Sequence, residues 1–201
     1  MKKLLFGCGG LVVVALGLAV LVGLFLWSSY NGLVRGEEGV KSAWSQVENV
    51  YQRRFDLIPN LVATVKGVAN FEKETYTAVT EARSRVGQIR VGPEMLNDPN
   101  AFAKFQRAQG ELGSALSRLL VVAENYPQLK ANQNFLDLQS QLEGTENRIA
   151  VERRRYNEVA QGYNTMVRSF PRNFVAGLFG FRTKAYFAAT EGAAKAPEVK
   201  F

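Results

Sequence analysis

LLFGCGGLVVVALGLAVLVGLFLW, residues 4–27, holds 24 residues without a charged side chain and follows directly on Lys2 and Lys3. At about 1.5 Å per helical residue it reaches roughly 36 Å, enough to cross a hydrocarbon core of about 30 Å. A core helix of a soluble domain keeps one polar face, whereas every face of this stretch is apolar or small. It predicts a transmembrane helix with the rest of the chain tethered behind it. A cleaved signal would close its apolar run with a small-x-small pair, but this run ends in Leu24, Phe25, Leu26, Trp27. Residues 1–29 therefore read as a retained signal anchor. Cys8, after Leu5, Phe6 and Gly7, loosely resembles a lipobox. Too few uncharged residues precede it, so it reads as a small apolar residue in the bilayer. Lys2 and Lys3 hold the amino terminus in the cytoplasm by the positive-inside tendency, which sends residues 28–201 out. Ala15, Ala19 and Gly23 recur every four residues and make one small face on which a second such helix could pack.

Beyond the anchor lies enough chain for one ordinary domain with a substantial core. The whole chain carries 25 Lys and Arg against 18 Asp and Glu, a dispersed positive bias that suits anionic headgroups and gives no concentrated patch for nucleic acid. Histidine is absent and the one cysteine falls in the anchor. The part outside the membrane thus offers no His/Cys metal site, no disulfide and no cysteine or histidine nucleophile or base. No cofactor and no catalytic residue are expected.

Steps of three and four from Trp44 through Val47, Tyr51, Arg54, Ile58, Leu61, Val65, Val68, Glu72, Thr75 and Val79 to Ala82 stay in phase through Pro59. The pattern predicts one long helix from about Leu33 to Val86, kinked at Pro59 and continuous with the anchor. Residues 87–100 break the period with Gly87, Gly92, Pro93, Asp98 and Pro99. A second helix follows on Phe102, Phe105, Gln109, Leu112, Leu116, Leu119, Ala123 and Tyr126, closed by Pro127. A third runs on Phe135, Leu138, Leu142, Thr145, Ile149, Glu152, Tyr156, Val159, Tyr163, Met166 and Phe170, closed by Pro171. The fold class expected is all-α: a transmembrane helix, a long antiparallel bundle of four-helix type over residues 30–171, and an apolar tail over 172–201. In that tail Phe174, Leu178, Phe179, Phe181, Tyr186 and Phe187 need a surface. A neighbouring subunit and the membrane face are the expected ones, a flap over the bundle the other.

The carboxylate pairs at Glu37–Glu38 and Glu72–Glu74 read as solvated helix faces, and Arg153, Arg154 and Arg155 as a wet face. Polar residues beside the seams are more distinctive: Arg53, Arg54, Asp56, Asn60, Glu124, Asn125, Glu146, Asn147, Asn157 and Asn164. Tyr-Asn recurs at 156–157 and 163–164, seven residues apart and so on one face. Such groups are expected to set helix register through internal networks.

With Ala43 and Trp44 upstream, Arg53, Arg54, Phe55, Asp56, Leu57, Ile58, Pro59, Asn60, Leu61, Val62 resembles the signature of the LemA family. So do Glu124, Asn125, Tyr126, Pro127 with Leu129, Lys130 and Ala131, and then Thr145, Glu146, Asn147, Tyr156, Asn157, Tyr163, Asn164, Phe170 and Pro171. The resemblance runs from about Tyr30 to Phe201. It implies a membrane-anchored helical bundle in bacteria and brings no catalytic residues; together with the charge at the anchor, the localisation expected is the bacterial inner membrane, single-pass, with the bulk of the chain extracytoplasmic. The function expected is non-catalytic binding or self-assembly in the envelope, as a homo-oligomer or with an envelope protein partner. The alternatives are an accessory subunit of a membrane peptidase or envelope-stress system and, in another class, a carboxylate-dependent hydrolase.

Overall fold

A computed structural model describes residues 2–68 and 70–188; the side chain of Cys8 and residues 189–201 of the tail lie outside the described residues. The protein is all-α. Helix α1 runs unbroken over Lys2–Lys66, α2 over Lys73–Gly87, α3 over Pro99–Ala123, α4 over Pro127–Lys130, α5 over Gln133–Arg168 and α6 over Arg172–Phe179; a 3-10 turn spans Pro93–Asn97. Side chains from Val13 to Ser28 are exposed, and burial begins at Ser29 and Leu33. One apolar helix long enough to cross a membrane therefore continues into the bundle, joining anchor and domain in a single rod.

The continuity with the anchor agrees with the periodic reading, but the helix predicted to end near Val86 stops at Lys66. The chain reverses at residues 67–72 and α2 returns beside α1. Lys66 Nζ lies 5.0 Å from the Tyr76 ring, and farther back the Arg83 guanidinium lies 3.8 Å from the Phe55 ring. Asn70, left-handed at φ 62°, makes the reversal possible. Pro59, the expected site of the kink, lies inside α1 with helix on both sides of it, as the in-phase pattern predicts. Proline removes the amide that would bond the Phe55 carbonyl, and Arg83 Nε donates to that oxygen at 3.2 Å instead. The neighbouring helix thus satisfies the acceptor that the proline orphans.

Asp98 and Pro99, read as a loop, open α3. The Asp98 carboxylate accepts from the Asn100 and Ala101 amides at 2.9 and 3.2 Å, with Pro99 at the first position, where no amide is needed. Asn132 caps α5 in the same way through the Phe135 amide at 3.1 Å. The α3 seam expected from the heptad, Phe102 through Ala123, is the buried face. In α5 the seam keeps Phe135, Leu142, Thr145, Ile149, Tyr156 and Tyr163 but turns toward Ala160, Asn164 and Val167 near its end. Phe170, at the end of the predicted stripe, is exposed.

The core has two parts. Next to the apolar stretch of α1, Leu33, Trp44, Tyr51, Phe102, Phe105, Tyr156, Tyr163 and Phe187 pack together. Farther out, Ile58, Leu61, Val65, Val79, Leu112, Leu116, Leu119 and Leu142 do. The distal part is built from α1, α2, α3 and α5. In the proximal part α2 is missing, and the 3-10 turn, α6 and an extended segment over residues 181–188 stand in.

Candidate functional site

Between the two cores lies a buried polar layer. Arg54, one turn before Ile58 on α1, is only 3 % exposed. Its Nη1 donates to Glu146 Oε1 on α5 at 2.6 Å and its Nη2 to both the backbone and side-chain oxygens of Gln109 on α3. Three helices are thereby held in one register, and Glu146, still half in water, neutralises the guanidinium. The layer edges an open groove of about 810 Å³ that Arg153 also lines.

The second arrangement is a clamp on residues 181–188. Asn164 Nδ2 donates to the Lys184 carbonyl at 2.9 Å and its Oδ1 accepts the Lys184 amide at 2.7 Å. One heptad earlier Asn157 does the same for the Phe187 carbonyl and amide, both at 2.9 Å. Gln106 on α3 repeats the pairing with Ala188 at 3.2 Å each way. A side-chain amide presents one donor and one acceptor, like a neighbouring strand, so three amides replace the partner that an extended segment lacks in an all-helical protein. The Tyr156 hydroxyl donates to the Ala185 carbonyl at 2.9 Å, and the Ala185 amide donates to the Leu96 carbonyl at 3.0 Å. Lys184, 5 % exposed, turns its ammonium inward to Glu37 at 2.6 Å and Asn97 at 2.7 Å.

Phe187 is the knob of this strap. It stacks on Trp44 at 6.0 Å between ring centres and lies 4.8 Å from Phe102 and 5.6 Å from Tyr156. Arg153 covers it, 4.7 Å from the ring, and donates to the Ala188 carbonyl at 3.1 Å. Arg153 is thus no wet-face residue, unlike the exposed Arg154 and Arg155. Burial pushes the phenols of Tyr51, Tyr156 and Tyr163 above their ordinary range.

The residues expected to set register divide. Arg54 and Glu146 meet in the polar layer, while Tyr156, Asn157, Tyr163 and Asn164 all face the strap side. Arg53, Asp56, Pro59 and Asn60 lie on the exposed side of α1, and Glu124, Asn125 and Asn147 are exposed too. Tyr126 and Pro127 belong to the turn between α3 and α5, where the Tyr126 hydroxyl donates to the Asn70 carbonyl at 2.9 Å. Ala15, Ala19 and Gly23 are exposed along the span. The six large apolar residues of the tail divide between the two readings, the flap over the bundle and a surface left for something else. Phe187 fills the chain's own core and Phe181 packs partly against it, whereas Phe174, Leu178, Phe179 and Tyr186 stay exposed. Gln106, Asn97, Glu37 and Lys184 were missed, because single polar residues at loop and helix-edge positions carry no periodic signal. Glu37, expected on a solvated face beside Glu38, instead accepts from the Lys184 ammonium. Among the described residues no group of three or more acidic or cysteine side chains could hold a metal.

The sequence pattern of the LemA family matches residues 43–201. Magnetosome protein MamQ 1 and MamQ 2 of Paramagnetospirillum magneticum are each 29 % identical over 174 residues, covering 79 % of this chain and 64 % of theirs. The chain thus spans less than two thirds of the length of those relatives. Protein LemA of Metamycoplasma hominis is 27 % identical over 161 residues, covering 80 % of this chain and 69 % of its own. The match takes in the Arg54 layer and the Asn157 and Asn164 clamp alike, and the chain belongs to the LemA family.

Proposed function

We propose that this chain is a non-catalytic, membrane-anchored envelope protein that works by binding and self-assembly, with residues 28–201 outside the cytoplasm. The observation that supports this reading is where its buried polar groups point. Arg54, Asn157, Asn164 and Lys184 spend their bonds on the protein's own helices and strap, so they build a rigid body and converge on no substrate position. A rigid body on an unbroken helix suits presentation of a surface at a fixed height. The exposed Ala15, Ala19 and Gly23 face supports pairing of spans, since small side chains at every fourth position let a second helix approach closely. Cross-linking the full-length protein in native membranes, beside an Ala19→Leu, Gly23→Leu variant, tests the reading. A cross-linked species of the chain with itself or with an envelope protein is expected, its homo-oligomeric part weakened in the variant. A monomer without cross-linked partners in both samples would overturn the proposal.

A further inference from the structure

We propose that α6 is a membrane foot, a short interfacial helix whose outer face enters the bilayer surface beside the point where α1 leaves it. Val175 and Ala176 turn inward and are buried, while Phe170, Phe174 and Leu178, spaced by four, are 80 %, 68 % and 74 % exposed. Outside the span this is where exposed large apolar side chains concentrate; others, such as Val121 and Val151, stand apart in sequence. The patch has a fixed height. Tyr30 lies 4.9 Å from Phe179 and 5.7 Å from Phe181, centre to centre. Tyr30 comes three residues after Trp27, where the uncharged run ends, about 4.5 Å along a helix axis. That places α6 at the depth of the headgroups, where aromatic side chains belong.

Charge points the same way. From Val159 to Thr190 the chain has no Asp or Glu and carries Arg168, Arg172, Arg182 and Lys184. Lys184 is turned inward to Glu37, but the three arginines, close in sequence to the apolar face, are exposed. An exposed apolar face in a stretch whose exposed charges are all arginine, held at the membrane surface, has the chemistry of an interfacial helix on anionic lipid. The occupant of this face is therefore the lipid from which α1 emerges.

The inference rests on α1 crossing a bilayer, and the test reports that separately. In the full-length Cys8→Ser chain, single cysteines replace Leu18, Val121, Phe174 or Leu178 and carry a nitroxide. The protein is held in phosphatidylcholine vesicles containing phosphatidylglycerol. Collision with oxygen, which concentrates in lipid, is compared with collision with a water-soluble nickel chelate. The Phe174 and Leu178 labels should favour oxygen as the Leu18 label does, with nickel access several-fold below that at Val121. Nickel access equal to that at Val121 would show a water-facing patch and overturn the foot. Weak access to both reagents would show a second copy seated there and overturn it equally. A nickel-accessible Leu18 would remove the span and the foot with it.

Discussion

The two halves of the bundle solve the same packing problem differently. The distal half closes four helices over a mainly aliphatic core, Ile58, Leu61, Leu112, Leu116, Leu119 and Leu142. The proximal half has lost α2 and closes instead with a strap pinned by three side-chain amides over an aromatic core. Long-range closure by an extended segment needs explicit polar partners for its backbone, whereas a helix brings its own. The distal half therefore depends mainly on volume, and the proximal half on volume and specific bonds.

The largest separation between the halves is expected at alkaline pH. Tyr51, Tyr156 and Tyr163 all lie in the proximal core with phenols held above the ordinary 10.0. The folded state keeps protons that the unfolded chain releases, so this stability is complete below about pH 10 and falls as pH rises above it. With Trp27→Phe leaving Trp44 as the sole tryptophan, its fluorescence should report loosening of the proximal half as the solution passes about pH 10. An unchanged Trp44 signal up to about pH 12 would mean that the buried phenols do not limit this half.

Next in size is truncation within each core. Trp44→Ala should cost about 3–5 kcal/mol, because the indole touches Phe102, Phe105, Tyr156 and Phe187. Leu119→Ala should cost about 2–5 kcal/mol. Only Trp44→Ala should also free the strap, seen as faster tryptic cleavage after Arg182. Equal cleavage in both variants would erase the distinction.

Breaking the boundary should cost somewhat less. Arg54→Ala leaves Gln109 and Glu146 without their shared donor and is expected to cost about 2–3 kcal/mol in denaturant unfolding. The double change Arg54→Leu, Gln109→Leu should cost less than that single one, since an apolar filler leaves fewer unpaired groups. A greater loss in the double variant would show that the polar layer itself stabilises the join.

The smallest effect belongs to one arm of the clamp. Asn164→Ala removes both bonds to Lys184, about 1–3 kcal/mol, and the loss should be local. Amide exchange should quicken at Lys184 and Phe187 and stay unchanged at Leu116. Quickening at Leu116 to the same degree would join the halves into one cooperative unit.

Legibility in the sequence followed the same division. The face of α3 could be read from its heptad because helix-on-helix burial repeats with the helical period. The reversal at residues 67–72 could not, since Val65, Val68, Glu72 and Thr75 stay in phase across it. Gly67 and Asn70 were the available signs, a glycine and an asparagine suited to a helix end. Tyr156–Asn157 and Tyr163–Asn164 were visible as a repeat on one face. What they grip was not, because an extended strap over a bundle has no period of its own. Arg54 stood in the apolar stripe as an exception, and its partners Gln109 and Glu146 come from two other helices with nothing in the local sequence to pair them.

The unbroken course of α1 has a mechanical meaning. From Tyr30 to Lys66 it extends roughly 55 Å beyond its uncharged stretch, so in the membrane-anchored reading proposed above a tilt of about 10° in the bilayer would swing its far end by about 10 Å. On that reading a change of lipid thickness that tilts the anchor would be converted into displacement at the distal tip. Pro59 is the natural flexure in such an arm, and Arg83, bonded to the Phe55 carbonyl across it, is its splint.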